Sequence, residues 1–200
     1  KKGTTDTEAI AKAKTYTGFT FDATVKGTKQ SGTITGDGKL VLKLYYTRNS
    51  YKVTYSYEGT VPAGASALPA EATYKYGADV TVADKATASG YTFDGWSKTE
   101  DFKMPAENVT ITGKFVANTN TAYKVEHYWQ NVDDDDYTLH ETETLAGTTG
   151  ETATAKAKTY DGFTLNEAAA GTVKSGTIAG DGSLVLKLYY TRNSYKVTYA

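Results

Sequence analysis

The stretch LVLKLYYTRNSYKVTY occurs twice in this 200-residue chain, at Leu40–Tyr55 and again at Leu184–Tyr199. The identity extends toward the N-terminus: Ala11–Tyr55 returns as Ala155–Tyr199 at an offset of 144 residues, without insertion or deletion, and with 34 of 45 residues identical. Repetition of whole folded units is typical of a spacer or a multivalent display, because neighbouring copies add reach and avidity rather than chemistry. A single-copy active site is not expected in such a chain.

The repeat is interrupted at both ends of the sequence. Two strand-like runs, Tyr123–Trp129 and Tyr137–Leu145, precede the second copy, and nothing comparable precedes the first. At the other end, Tyr195–Ala200 corresponds to the opening of the middle segment at Tyr51–Tyr55. We therefore expect the chain to be a window on a longer array. An unpartnered strand edge is a template for another chain, so we expect any pairing between chains within residues 1–50 to reflect missing partners.

Composition predicts a β-rich chain and excludes several classes of function. Seventeen Tyr, many Thr and Val, and three Pro suit a pleated sheet. The net charge is −1 with both signs scattered, so we expect neither nucleic acid nor a membrane surface as a partner. The absence of Cys excludes disulfides, thiol catalysis and cysteine-bound zinc. No apolar run reaches the ~18 residues that suggest a membrane span.

Alternation of apolar residues from Leu40 to Tyr46 predicts a strand with one buried face. Gly36-Asp37-Gly38 stands before this strand, and glycine tolerates positive φ, so we expect a tight turn that pairs the short run before it with the long strand after it. Gly180-Asp181-Gly182 predicts the same turn in the second copy. The Ala- and Thr-rich run Gly3–Tyr16 is compatible with a strand or, at most, a short helix.

The middle segment, Tyr51–Val116, has the same order of features in a different sequence. An opening strand, a loop rich in Pro, Gly and Ala, and a polar run lead to GYTFDGW at Gly90–Trp96, whose Trp we assign to the core. The joints on either side, Arg48–Ser50 and Asn118–Thr121, are short and polar. Short joints limit swivelling, so we expect a semi-rigid array.

These motifs resemble two repeat families. With its YKVTY opening, its YGADVTV run and its GYTFDGW signature, the middle segment resembles the Listeria-Bacteroides repeat, the internalin B-repeat-like module. The flanks, with YKVEHYW, TAKAKTYDGFTL and GTIAGDGSLVLKLYY, resemble MucBP (mucin-binding protein) repeats. On this resemblance the predicted parts are 1–49, the C-terminal part of a MucBP-like module; 50–118, a Listeria-Bacteroides repeat-like module; 119–193, a MucBP-like module; and 194–200, the first strand of a following module.

What the resemblance implies is an array of small ubiquitin-like β-grasp modules, each a mixed sheet with one short crossing segment. The expected fold class is therefore α+β, predominantly β, in an elongated arrangement. The resemblance also implies an extracellular place on a bacterial surface, in a wall-anchored or secreted adhesin. Neither family carries a catalytic residue set, so we expect no enzyme and no cofactor. Host mucin or other glycoproteins, and neighbouring modules of the same chain, are the candidate partners.

Trp129, Gln130 and Asn131 are the candidate ligand-binding residues, for a glycan. A planar ring stacks on the apolar face of a sugar while nearby amides bond its hydroxyls. The alternative is a strand-end Trp packed on its own module or on the next one. The two readings leave two functions open, a stalk that projects a binding domain elsewhere and a set of modules that bind mucin glycans weakly and multivalently.

Other polar clusters give weaker signals. Asp133–Asp136 offer oxygen ligands for calcium but lack the spacing of a binding loop, which favours a solvated hairpin tip. His127 and His140 could share a sheet face as a metal or acid-base pair, but ordinary half-exposed histidines are the simpler interpretation and no third ligand is marked. Lys43 and Lys187 are expected to be exposed, which disfavours an intramolecular amide cross-link. No serine-nucleophile elbow or phosphate-binding loop is present, so we predict no catalytic and no metal site.

Overall fold

The computed structural model describes residues 2–199, and every regular element in that range is a β-strand. The strands in chain order are β1 (Glu8–Ile10), β2 (Phe19–Phe21), β3 (Ser31–Thr33), β4 (Tyr46–Arg48), β5 (Ser50–Glu58), β6 (Ala72–Lys75), β7 (Asp79–Val80), β8 (Tyr91–Trp96), β9 (Phe102–Lys103), β10 (Val109–Ala117), β11 (Thr121–Gln130), β12 (Tyr137–Gly147), β13 (Thr152–Thr154), β14 (Phe163–Leu165), β15 (Ser175–Thr177) and β16 (Val185–Arg192). Lys1 and Ala200, the outermost residues of the predicted segments 1–49 and 194–200, lie outside the described residues.

The predicted fold class, α+β, is wrong, because residues 2–199 form an all-β structure without a helix. It follows that none of them forms a helix able to cross a membrane. The physical reason lies in the run TATAKA at residues 152–157, where Ala stands at every second position. That period suits the two faces of an extended chain and not a helix. Ala153 is buried in β13, and Ala155 packs against the same core, so the run lies extended across the sheet.

The chain forms two compact units. One comprises residues 1–57, 68–84 and 96–113, and the other comprises residues 58–67, 85–95 and 114–200. The first unit contains the first copy of the repeat and part of the middle segment. The second unit contains the rest of the middle segment and the whole second copy, together with the hairpin that precedes it.

In the first unit, short antiparallel ladders form the first copy: β1 pairs with β3, and β2 pairs with β4. The middle segment adds the pairs β5–β6 and β7–β9 to this unit. The predicted core position of Trp96 is confirmed, since the side chain is 6% exposed and its ring contacts the rings of Tyr55 and Tyr57. Its indole N–H donates to the Asp84 carbonyl at 2.9 Å, so its polar edge is satisfied.

The second unit is built on a four-stranded sheet of order β12-β11-β16-β14. β11 and β12 form a long antiparallel hairpin with a bulge between His127 and Tyr128. β11 and β16 run parallel, and β14 closes the sheet antiparallel to β16. Alternate residues of β16 point inward, and Leu186, Leu188 and Tyr190 are at most 2% exposed. The strand predicted at Leu40–Tyr46 is wrong for residues 40–45, because apart from a single bridge at Lys43 no described residue pairs with them; only Tyr46 lies in a strand, β4.

The Gly-Asp-Gly turns form, but the pairing predicted across them is wrong. Gly38 and Gly182 both have positive φ, and each N–H bonds back to the carbonyl three residues earlier. The short strand before the turn pairs with the strand N-terminal to it instead, as β3 with β1 and β15 with β13. In the second copy β11 lies along one edge of β16, and the other edge is bonded to β14 at residues 190–192 and to Val173 at Lys187, while β15 pairs with β13.

Candidate functional site

The two joints between repeat segments are the sites where residues of separate segments are held together. Each segment carries a Gly-aromatic-Thr step whose Gly has positive φ, and an Asn that follows its closing strand. The Asn N–H donates to the carbonyl of that Gly at 2.8–2.9 Å, and the Thr hydroxyl donates to the Asn side-chain oxygen at 2.7 Å. We call this arrangement the Asn clasp. Its three instances are Gly18/Thr20/Asn49, Gly90/Thr92/Asn118 and Gly162/Thr164/Asn193.

The first clasp also binds the middle segment, within the first unit. The Asn49 carbonyl accepts the Tyr76 N–H at 2.8 Å, and the Arg48 guanidinium donates to the Tyr76 carbonyl at 3.0 Å. Phe19 is half-buried and packs edge-on against the Tyr76 ring, with 5.8 Å between the ring centroids. Gly18 has φ of 75°, and a Cβ there would overlap the same ring. Residue 18 must therefore be glycine, both because of its positive φ and because a larger side chain would not fit beside Tyr76.

The second clasp likewise binds the segment that follows it, within the second unit. The Asn118 carbonyl accepts the Thr149 N–H at 2.9 Å, and the Thr149 hydroxyl, which is buried, shares a 2.6 Å hydrogen bond with Thr121. Gly90 has φ of 76°, and a Cβ there would collide with the Gly180 backbone and lie 2.7 Å from the Thr149 hydroxyl. Backbone therefore packs on backbone at this joint, which leaves little room for rotation.

The third clasp has only its own-segment half among the described residues. The Asn193 N–H donates to the Gly162 carbonyl, and Thr164 donates to the Asn193 side chain, as in the other two. Gly162 has φ of 79°, but a Cβ there would meet nothing within 4 Å. The clasp thus forms within its own segment without a neighbour, so it is present before the joint is made.

The three residues predicted to bind a glycan do lie together. Trp129, Gln130 and Asn131 line a small cavity of about 160 Å³ at the end of β11, beside Arg192. The two faces of Trp129 are covered, however, since its ring stacks on His140 at 3.3 Å and on Phe163 at 4.4 Å between centroids. Its indole N–H is buried and has no hydrogen-bond partner. The cavity therefore offers polar edges rather than a free aromatic face, and the glycan assignment stays a prediction.

His127 belongs to a hydrogen-bonded chain that sequence reasoning missed. The residue is 0% exposed, not half-exposed as expected, and Nε2 lies 3.1 Å from the Glu143 carboxylate. On the other side, Nδ1 lies 3.1 Å from the Tyr190 hydroxyl, which accepts the Lys158 backbone N–H. A carboxylate only accepts, so in the neutral ring Nε2 carries the proton and Nδ1 accepts from Tyr190.

An ion-paired group extends this chain at the surface of the sheet. The Lys158 ammonium contacts Glu141 at 2.6 Å and Glu143 at 2.9 Å. Hydrogen bonds from Lys158 hold the pKa of both carboxyls below the ordinary value, with Tyr160 assisting at Glu141 and His127 at Glu143, and they raise the pKa of the lysine. Burial, and then the hydrogen bond to Glu141, raise the pKa of Tyr160. The cluster fastens the hairpin onto the segment that follows it and presents no free nucleophile.

The acidic run forms the exposed tip of the β11–β12 hairpin, as the sequence predicts. Asp134 accepts hydrogen bonds from the Asn131 side chain at 2.8 Å and from the Asp136 N–H at 2.9 Å. His140 is exposed, stacks on Trp129 and contacts the Tyr160 ring edge-on, and His127 contacts the same Tyr160 ring from its buried position. Within residues 2–199 no group of three or more His, Asp and Glu side chains is arranged to hold a metal ion.

Comparison with known proteins identifies the middle segment. Residues 51–123 match the family model of the Listeria-Bacteroides repeat domain. This agrees with the resemblance carried by GYTFDGW, and the chain therefore contains a repeat module of that kind. The assignment of the flanking repeats to the MucBP type stays a prediction.

Among solved structures, the chain is similar to domains 3-4 of the Streptococcal High Identity Repeats in Tandem (SHIRT) from a cell surface protein. The identity is 18% and the TM-score 0.29, over 72% of this chain and 98% of that one. No curated protein matches the chain.

Proposed function

We propose that this chain is a spacer region of a bacterial surface protein, in which tandem β modules are held end to end and project a binding domain carried elsewhere. In this proposal the role is mechanical and not enzymatic. The location, on the wall or secreted, follows from the families that the motifs resemble. Neighbouring modules of the same chain are its principal partners.

The observation that carries the proposal is the position of the first and last strands of the third segment. β11 opens that segment and β16 closes it, and the two are parallel neighbours from Lys124↔Val185 to Trp129↔Tyr190. Because parallel strands run in one direction, the chain enters the module at one end and leaves at the other. Six paired residues advance the chain by about 20 Å. Each module of this kind therefore adds length.

The Asn clasp supports the second half of the proposal, that the modules do not swivel freely. At both joints the Asn carbonyl accepts a main-chain N–H of the following segment, at Tyr76 and at Thr149. Main-chain bonds on linkers of one residue, Asn49, and three residues, 118–120, leave few dihedrals free, unlike a flexible Gly/Ser linker. In the resulting array the orientation of one module would therefore constrain the orientation of the next.

The test is small-angle scattering combined with distances between spin labels across the first joint. Cysteines at Lys26 and Thr99, both exposed, can be labelled cleanly because the chain has none of its own. We expect an elongated particle and a narrow distance distribution. Gly18→Ala should broaden that distribution, and Gly162→Ala, with the same backbone conformation but no neighbour, should leave it unchanged. A compact particle, or a broad distribution in the unaltered chain, would overturn the proposal.

A second candidate, direct binding of mucin glycans, rests on the cavity at the end of β11. Its unpartnered Trp129 N–H is a donor that a sugar hydroxyl could satisfy. The neighbouring Gln130 and Asn131 amides are bonded to Asp135 and Asp134, and a sugar would compete for these bonds. Trp129→Phe keeps a ring between His140 and Phe163 while removing that donor. Retention on immobilised mucin that rises with copy number and falls in the variant would favour this function, whereas no retention at any copy number would exclude it.

A further inference from the structure

The outer strand of the long hairpin, β12, has one open edge. It stands first in the sheet order β12-β11-β16-β14, and among the described residues it pairs only with β11. With 11 residues β12 is the longest strand of the described chain, whereas β14, at the opposite edge of the same sheet, has three. The core beneath this sheet is closed, since Val125 and Leu186 are both 0% exposed. The open edge therefore belongs to a segment whose core is already covered.

Part of this edge lacks the features that normally protect an open strand. Such strands carry a bulge, a proline or an outward lysine that prevents another strand from pairing. β12 has a bulge at His140, near the tip of the hairpin. The run ETETLAG that follows, Glu141–Gly147, contains neither Pro nor Lys, and its register with β11 is unbroken. This run is a regular template for a further strand.

The pairing of β11 determines which main-chain groups reach the open edge. The Lys124 N–H donates to the Leu184 carbonyl at 2.9 Å, so the main-chain groups of Lys124 point toward β16. Successive residues of a strand point these groups to opposite sides, so those of Val125 point toward β12 and its partner Glu143. The residues of β12 that present N–H and C=O groups to the open edge are therefore Thr142, Thr144 and Ala146.

The side chains of this run are divided between the two faces of the sheet. Glu141 and Glu143 lie on the core face, where the Lys158 ammonium binds both carboxylates. The residues of the other face are exposed and uncharged, and they are Thr142, Thr144 and Ala146. An identical edge would therefore meet neutral side chains at every position where main-chain bonds form.

An identical strand fits this edge, antiparallel, in one register. A two-fold axis through Thr144 sets Thr142 opposite Ala146 and keeps the glutamates of the two strands apart. Moving the axis to Glu143 sets that residue opposite itself, and moving it to Thr142 sets Glu143 opposite Glu141. Like charges directly opposite each other are destabilising. Moving the axis beyond Thr144 shortens the ladder, so the register centred on Thr144 is the most favourable.

We propose that the open edge of β12 is the surface on which two copies of this chain associate, with Glu141–Gly147 of each pairing antiparallel about Thr144. The occupant is a second chain, because a further hairpin in an array that runs in one direction would present its strand in the same direction. This step rests on the spacer function proposed above. The two spacers then run in opposite directions, as arrays that project from two facing surfaces do.

The strength of this contact depends on the number of modules. Three residues of each strand form about six main-chain hydrogen bonds in the register centred on Thr144. One such ladder is a weak contact, and several ladders along two arrays bind by avidity. The spacer would thereby hold two surfaces together as well as set their separation.

Disulfide trapping tests the register, because the chain has no cysteine of its own. Thr144→Cys sets two thiols opposite each other at the ~5.5 Å Cα separation of a hydrogen-bonded pair, which a disulfide spans. Under mild oxidation we expect about tenfold more covalent dimer from this variant than from Thr142→Cys, whose thiols are four residues out of register. A mixture of Thr142→Cys and Ala146→Cys should recover the dimer. Equal trapping by Thr142→Cys and Thr144→Cys, or trapping by neither, would overturn the proposal.

Sedimentation measures the association without a covalent bond. Thr144→Pro removes an N–H that faces the open edge, so the ladder with β11 is kept, and Thr144→Val is the matched control that retains the N–H. We expect dimers that increase with concentration in the unaltered chain and in Thr144→Val, and their loss in Thr144→Pro. Protection of the Val125 amide from hydrogen exchange checks that the hairpin stays folded.

Charge at the same position gives a second variant that leaves the main chain intact. Thr144→Lys and Thr144→Glu should each abolish association alone, and a mixture of the two should restore it. Association that survives both Thr144→Pro and Thr144→Lys would overturn the proposal, and so would an unaltered chain that stays monomeric at about 1 mM. The spin-label distances in the Thr144→Pro chain test the spacer function separately, since that chain is expected to be monomeric.

Discussion

The eight residues VLKLYYTR occur twice and adopt two structures. At Val185–Arg192 they form one continuous strand, β16, with Leu186 completely buried. At Val41–Arg48 only the last three residues form a strand, β4, and Val41 is 59% exposed. Composition, propensity and local turn are the same in both places. The difference is the neighbour, since β11 lies alongside β16 and no described strand lies alongside residues 40–45.

This difference shows that strand formation here is a property of a pair. β propensity reflects packing against a neighbour more than an intrinsic backbone preference. The shared half of each copy, the two short antiparallel ladders, folds alike with or without the hairpin. The hairpin then converts a half-buried face into a core.

The largest contrast is expected from truncating the same leucine in both copies. Leu186→Ala should cost about 2–5 kcal/mol of stability in the third segment, because it opens a cavity in a sealed core. Leu42→Ala should cost much less, since Leu42 is only half-buried and lines an open apolar groove of about 720 Å³ in the first copy. Native-state hydrogen exchange, resolved by segment, measures both. Equal losses would mean that the two copies are equally closed in solution.

For the glycines of the Asn clasps we expect the opposite order, with the larger loss of stability in the first copy. Both Gly18→Ala and Gly162→Ala place a side chain at positive φ, which costs roughly 1–2 kcal/mol. Only at Gly18 does the new methyl overlap the Tyr76 ring, and overpacking adds about 1–3 kcal/mol. Thermal unfolding of the two variants therefore separates the cost of the joint from that of the backbone. Matching losses would remove Tyr76 as a steric partner of Gly18.

Removing the tyrosine hydroxyl should again affect the third segment more. Tyr190→Phe leaves the Lys158 N–H and His127 without their partner in a buried site, at a cost of about 1–3 kcal/mol. Tyr46→Phe removes one bond, to the exposed Lys14 N–H. Hydrogen exchange in increasing urea, resolved by segment, measures the loss in both variants. A loss no larger than that of Tyr46→Phe would show that His127 finds another partner.

The smallest contrast expected between the two copies is in how their stability falls at acid pH. Hydrogen bonds from Lys158 lower the pKa of Glu141 and Glu143, so their stabilisation is full above the ordinary glutamate pKa and is lost as pH falls through the lowered values. Lys158→Met should therefore flatten the acid side of the stability profile of the third segment. Lys14→Met, which removes no ion pair in the described part of the chain, serves as the matched control and should leave the profile of the first copy unchanged.

The sequence predicted the repeat, the buried Trp96 and the Asp-rich hairpin tip, whereas the strand predicted at Leu40–Tyr46 forms only at its counterpart in the second copy, β16. Each of these follows from a local pattern that a pleated chain must satisfy. The sequence did not predict which strands pair, because the Gly-Asp-Gly turn permits a hairpin whereas the edges of β16 are bonded to β11 on one side and to Val173 and β14 on the other. The wrong mixed fold class came from the family resemblance, and the Ala-rich run left a short helix open because Ala favours helices, although its every-second spacing favours a strand.

The candidate site could be predicted from the sequence only in part. Trp129, Gln130 and Asn131 do share one cavity, but covering of the Trp129 faces by His140 and Phe163 depends on pairing across the sheet. The Asn clasp left a signal that was not used: Gly-aromatic-Thr occurs three times, and an Asn follows the closing strand each time. Burial of His127 was not foreseeable, because its partners Glu143 and Tyr190 are 16 and 63 residues away.

The parallel pairing of β11 and β16 also determines how the third segment meets tension. A pull on the two ends of that segment acts along both strands in opposite senses. The hydrogen bonds between them are then sheared together, whereas a hairpin pulled from its open end yields one bond at a time. Rupture would have to break the whole ladder in a single event, so a module of this design resists drag by its topology, without a disulfide or any other covalent brace.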